Sequence, residues 1–159
     1  MLQQIPPALP EELRYDQPAA KALIAEALNQ SHHLLTEPES KALLAAYGIP
    51  VNQTEVAVSE DDAVDAAHRV GYPVVMKVHS RDITHKSDAK GVQLNLKHDE
   101  DVREAFRSIR AGAAAYNPQA NILGVTVQPM LERQDYELIL GSKKDADFGP
   151  IILFGMGGI

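Results

Sequence analysis

Between Lys77 and Gly91 the chain reads KVHSRDITHKSDAKG, gathering Lys77, Arg81, Lys86 and Lys90 with two imidazoles, His79 and His85. Ammonium and guanidinium groups hold phosphate or carboxylate oxygens, and an imidazole can donate to a phosphate or take up a phosphoryl group as a nucleophile. Ser87, Asp88 and Gly91 favour turns, and a turn between two strands presents backbone N–H groups to the same anion. The chemistry on offer is the holding and transfer of phosphate; the competing reading is a solvated basic loop. The stretch is neither GxxxxGK[ST] nor a GxGxxG that opens a helix, so neither of those phosphate-binding devices applies.

Lys77 needs a strand to position it. In PVVMKV, Pro73–Val78, period two puts Val74, Met76 and Val78 on one face and Val75, Lys77 and His79 on the other. An ammonium flanked by valines on a central strand is costly unless an anion meets it, whereas on an edge strand it reaches water along its own stem.

The remaining elements follow from periodicity and end signals. Residues 18–29, PAAKALIAEALN, predict a helix with Leu23, Ile24, Ala27 and Leu28 on one stripe. In LTEPESKALLAAYGIP, Thr36 and Glu39 have the spacing of a capping box, Leu43, Leu44 and Tyr47 recur on one face, and Gly48 stands where a helix ends. QTEVAV reads as a strand, and SEDDAVDAAHRV as a helix capped by Ser59 and stopped by Gly71. GVQLNLK is an alternating strand, DEDVREAFRSIRAGAAAY a helix, and ILGVTVQPM, YELILGS and GPIILFG are strands. Helices and strands thus mix as in an α/β or α+β domain, and the short loops between the last strands favour antiparallel pairing. The proline-rich start should be irregular. The glycine-rich LFGMGGI leaving a buried-looking strand leads us to expect a piece of something longer.

Composition removes several classes of function. The net charge of −7 and the absence of tryptophan argue against nucleic acid and anionic membrane as partners. No apolar run approaches the roughly 20 residues of a membrane span. With no cysteine there is no disulfide framework or thiolate metal site, which fits a cytoplasmic setting. His32, His33, His68 and His98 lack zinc spacing. Glu60, Asp61 and Asp62 form a helix's first turn, and Asp145 with Asp147 reads as a solvated turn rather than a metal site.

The order of LTEPESKALLAAYGIPV, GYPVVMKVHSRDITHKSDAKGVQLNL, VTVQPM and YELILGSKKDADFGPIILFGMGGI resembles the ATP-grasp component of the NDP-forming acyl-CoA synthetases, from Leu34 to Ile159. The resemblance implies an ATP-grasp first subdomain at 34–127, with a mixed or antiparallel sheet and flanking helices. A linker and helix would occupy 1–33, and the hinge and start of the second subdomain 128–159. It implies ATP or ADP as ligand, with Lys77 on its phosphates, Lys86, Ser87, Lys90 and Gly91 forming a phosphate loop, and His85 carrying the phosphoryl group. Gln128, Pro129, Met130 and Leu131 would meet the adenine edge, with Glu137 near the nucleotide. It further implies Mg²⁺, held by carboxylates beyond residue 159, and CoA, bound by separate domains as partners; a homo-oligomer is left open. In the family, glycine commonly precedes Gly91, so Lys90 is a departure that adds a cation or hinders close backbone approach. The implied parent is an ADP-forming acid–CoA ligase, with this part alone inactive. A second reading is a regulatory nucleotide-binding module in a GNAT-fused protein lysine acetyltransferase.

Overall fold

A computed structural model describes residues 15–131 and 136–157; the proline-rich start, the segment 132–135 and the last two residues lie outside it. The chain order is α1 (Gln17–Asn29), α2 (Glu37–Ala46), β1 (Glu55–Ala57), α3 (Glu60–Val70), β2 (Val74–Ser80), β3 (Val92–Leu96), α4 (Asp99–Tyr116), β4 (Ile122–Pro129), β5 (Leu138–Asp145) and β6 (Gly149–Met156). The first four strands form an antiparallel sheet in the order β1-β4-β2-β3, and β5 pairs with β6 as an antiparallel hairpin. This is an α+β arrangement, and β2 is an inner strand.

Period two on β2 divides the sheet into two unlike faces. Val74, Met76 and Val78 are fully buried beside Val125 and Val127 of β4, under Val64 and Ala67 of α3 and Val102, Phe106 and Ile109 of α4. Each such side chain contributes roughly 1.5–3 kcal/mol on leaving water. The opposite face is polar: Lys77 lies across from Thr126, and Val75 across from Gln128. Thr126 and Gln128 are both buried. Gly124 at φ 139 faces the Ala57 carbonyl so closely that any Cβ would stand 2.3 Å from that oxygen, which lets β1 approach β4.

Local signals set the element ends. Ser59 accepts from the Asp62 N–H while Asp62 accepts from the Ser59 N–H, opening α3 as a reciprocal cap. Gly48, with φ 72, sends its N–H to Ala45 and closes α2 in the left-handed conformation. Four expectations change. The face expected on α2 is not buried, with Leu44 and Tyr47 exposed, and β6, read as a buried-looking strand, is exposed at Ile152, Leu153 and Phe154. On α1 only Ala27 of the anticipated stripe is buried, with Ile24 and Leu28 exposed, because α1 packs chiefly on α2. On β3 the alternation breaks at Asn95, where φ is 58 and the register to β2 shifts, so Leu94 turns outward while Leu96 stays in.

The loop from β2 to β3 is anchored by its own backbone. The amides of Ala89, Lys90 and Gly91 donate to the carbonyls of His85, Ser87 and Lys86, and Val78 N–H donates to Gly91. Gly91 is tight: a Cβ there would meet Val78 Cγ1 at 2.5 Å and the Lys86 oxygen at 3.0 Å. Gly112 of α4 gives Ala89 and Lys90 similar room. Gly91→Ala is therefore expected to lower the free energy of unfolding by about 1–3 kcal/mol in urea titration. Lys90 holds φ 51, so Lys90→Gly should leave stability unchanged or raise it by up to about 1 kcal/mol.

Candidate functional site

The polar face of the sheet meets the start of α2, and there the cations of the β2–β3 stretch find their first anions. Lys77 Nζ donates to Glu37 Oε1 at 3.0 Å and to Gln128 Oε1 at 3.1 Å. Gln128 Nε2 donates to the same Glu37 oxygen at 2.7 Å, Lys41 lies 3.2 Å from it, and Lys86 Nζ is 3.8 Å from Glu37 Oε2. One carboxylate thus gathers three ammonium groups. Two residues on, Glu39 accepts both arms of Arg81, at 2.9 and 2.5 Å, together with the N–H and hydroxyl of Thr36. The helix-start signal expected at Thr36 and Glu39 is present, and its carboxylate also ties α2 to the end of β2.

Electrostatics follow from this geometry. Burial pushes the Glu37 carboxyl up, but Gln128, Lys77 and Lys41 outweigh it and hold it at about 2, below the ordinary 4.5. Arg81, chiefly, holds Glu39 at about 2. Burial pushes the Lys41 ammonium down against the pull of Glu37, and burial likewise lowers His79.

An open groove of about 630 Å³ runs along the cluster, lined by Glu37, Ser40, Lys77, His85, Lys86 and Ser87, among others. His85 is exposed at its rim. The structure therefore brings together Lys77, His85, Lys86 and Ser87 as anticipated, and adds Gln128 through its side chain rather than its backbone. Lys90 and Gly91 do not line the groove, and their amides are engaged within the loop. Pro129 ends β4, the Met130 N–H donates to the Pro73 carbonyl at 2.9 Å, and Leu131 is exposed. Glu137 is exposed beside β5, where its carbonyl accepts from Gly157.

Glu37 and Lys41 escaped the sequence reading. Glu37 looks like an ordinary acidic residue in a helix's first turn, and 40 residues separate it from Lys77. The available signal was the need of an inner-strand ammonium for an anion, which names no partner. Asp145 accepts from the amides of Asp147 and Phe148 in a local turn. Among the described residues no group of three or more acidic or histidine side chains is placed to hold a metal ion. Nor, among them, is any helix long and apolar enough to cross a membrane.

A sheet with α3 and α4 on one face and a lysine-bearing inner strand facing a polar groove on the other is consistent with an ATP-grasp fold. The chain belongs to this family: the model described as ATP-grasp domain matches residues 26–159. It is similar to the β subunit of ADP-forming acetate–CoA ligase I of Pyrococcus furiosus, 46% identical over 144 residues covering 91% of this chain and 62% of that subunit. It also resembles the ADP-forming 4-hydroxybutyrate–CoA ligase of Nitrosopumilus maritimus, 44% identical over 88% of this chain and 20% of that protein. Among solved structures, the dinucleotide-forming acetyl-coenzyme A synthetase 1 of Ca. Korarchaeum cryptofilum, in complex with coenzyme A and Ca-AMPCP, superposes with a TM-score of 0.84 at 39% identity, covering 87% of this chain and 60% of that one. The chain thus spans less than two thirds of the length of each of these relatives.

The charge cluster makes a pH prediction. Glu37 and Glu39 have folded values near 2 against an ordinary 4.5, so their contribution to stability is complete above about pH 4.5 and is lost as pH falls toward 2. Urea-unfolding midpoints measured from neutral pH downward should drop through that window in the wild type, and by less in Glu37→Gln.

Proposed function

We propose that this chain is the nucleotide-binding ATP-grasp part of an ADP-forming acyl-CoA ligase. The observation that carries the proposal is the convergence of Lys77, Lys86 and Lys41 on one anion position in a groove that His85 also lines. Ligases with ADP-forming names recur among the relatives, and one solved neighbour, 33% identical with a TM-score of 0.71, is described with Mg-AMPPCP and a phosphohistidine segment pointing towards its nucleotide-binding site.

In this reading acyl-CoA, ADP and phosphate interconvert with carboxylic acid, CoA and ATP. Phosphate attacks the acyl carbon and CoA leaves as its thiolate, giving an acyl phosphate; a nitrogen of His85 then attacks its phosphorus, the bond from phosphorus to the acyl oxygen breaks, and the carboxylate leaves. The terminal oxygen of ADP then attacks the phosphohistidine, and the histidine is regenerated as ATP forms. Lys77 and Lys86 hold phosphate oxygens against the charge that shifts between them, and alignment of the groups does most of the work. Within the proposal, residues 34–127 form the first subdomain and 128–159 the hinge and start of the second, although Gln128 and Pro129 pair within the first sheet. Met130 and Leu131 stay assigned to the adenine edge and Glu137 to the neighbourhood of the nucleotide, while Lys90 and Gly91, expected in the phosphate loop, would serve it by shaping the loop's backbone. CoA would be bound by other domains, and the setting would be cytoplasmic. The relatives named above include an acetate and a 4-hydroxybutyrate ligase, so the groove described here does not define the acyl group. None of them is named as an acetyltransferase, and the regulatory-module alternative has no support.

Calorimetric titration of ADP tests the assignment. Lys77→Ala should weaken binding by about ten- to a hundredfold, the loss of one charged hydrogen bond worth roughly 1.5–3 kcal/mol. His85→Asn should leave ADP affinity within about twofold, since removing a rim imidazole deletes no phosphate cation. In the assembled ligase it should abolish transfer of labelled phosphate from acyl phosphate to the protein.

A further inference from the structure

We infer that the Glu37 carboxylate stands where a ligand's phosphate oxygens are to go, that binding exchanges it for them, and that Lys41 thereby becomes a further cation of the site. The inference rests on the phosphate-site reading above and adds to it a displaceable internal counter-ion.

Three observations carry it. Glu37 Oε1 accepts from Lys77 at 3.0 Å and from Gln128 at 2.7 Å and lies 3.2 Å from Lys41 Nζ, so it occupies the point beside the groove where these groups converge. Three ammonium groups around one carboxylate leave an excess of positive charge, which a phosphate chain neutralises more fully than one carboxylate does. A phosphate oxygen reaching Lys77 Nζ also arrives beside an ionised carboxylate, and two anions that close in a partly buried site repel strongly. The side chain has somewhere to go, because Glu37 lines an open groove. The helix start need not move with it: Glu39 grips Arg81 with both oxygens and holds the first turn of α2 in place. Lys41 is steadied independently by the Thr54 hydroxyl at 2.7 Å, so it remains at the site when Glu37 leaves.

The test is calorimetric titration of inorganic triphosphate, and separately of ADP, into the wild-type chain, Glu37→Gln and Lys41→Gln, each shown to be folded by circular dichroism. Exchange predicts that Glu37→Gln binds triphosphate more tightly, by a factor on the order of ten, the removal of one close charge conflict. It predicts that Lys41→Gln binds several-fold more weakly. Unchanged or weaker binding by Glu37→Gln overturns the inference and makes Glu37 a positioning residue for Lys77. If Glu37→Gln does not fold, an unaltered triphosphate affinity in Lys41→Gln overturns it instead. Triphosphate binding that tightens in Glu37→Gln, with ADP bound no better than triphosphate, sustains the exchange and sinks the nucleotide reading. ADP binding that Lys77→Ala, titrated alongside, weakens but Glu37→Gln leaves unchanged does the reverse, and no binding of either ligand by any folded form overturns both.

Discussion

An ammonium on an inner strand, with apolar side chains on either side along the chain, is tolerated only where an anion meets it. Lys77 is that group, and Glu37 answers it at 3.0 Å. Much of the polar side of the molecule follows from this contact. Glu37 sits at the first position of α2, so meeting Lys77 brings the start of that helix against the sheet, and Glu39 with Arg81 repeats the attachment at the end of β2. α2 has no buried residue at all, while Gln128 beneath it is almost completely buried. The helix is therefore docked by charge and hydrogen bonds and not by an apolar stripe, which leaves the groove beside it polar and open.

The two faces of β2 divide labour. Val74, Met76 and Val78 form the middle of a core that α3 and α4 close, and this rigid side fixes where Lys77 points. The loop that follows is held to the same scaffold by Gly91, which fits only without a side chain against Val78, and by Gly112, which lets α4 come up to Ala89 and Lys90. Lys90 takes a left-handed conformation, with φ 51. Its backbone serves the packing of the loop, while His85, Lys86 and Ser87 are among the residues that line the groove.

The sequence displayed these elements to different degrees. Helices α3 and α4 and strand β2 were legible because their periods agree with their caps: Ser59 and Gly71 bracket α3, and the alternation from Val74 to Val78 matches the burial observed except at Val75, which is buried on the polar face. The exposed side of α1 was not, since a stripe containing Ile24 and Leu28 cannot say whether a sheet or only another helix lies opposite. Nor was the bulge at Asn95, where a single left-handed residue turns Leu94 outward. At the site, the cations were visible as a cluster because they are close in the chain. Their counter-ion was hidden because Glu37 reaches them only through the fold, and Gln128, 91 residues from Glu37, enters through a side chain that no local pattern marks.

The most direct test of this account is a double-mutant cycle between Glu37→Gln and Lys77→Met, read as urea-unfolding free energies of the ligand-free chain at neutral pH. If the contact organises the polar face, the two losses fail to add by about 1–3 kcal/mol, as expected for a half-buried pair in one hydrogen-bond network. Additivity within about 0.5 kcal/mol would contradict it, showing that α2 is held by other means.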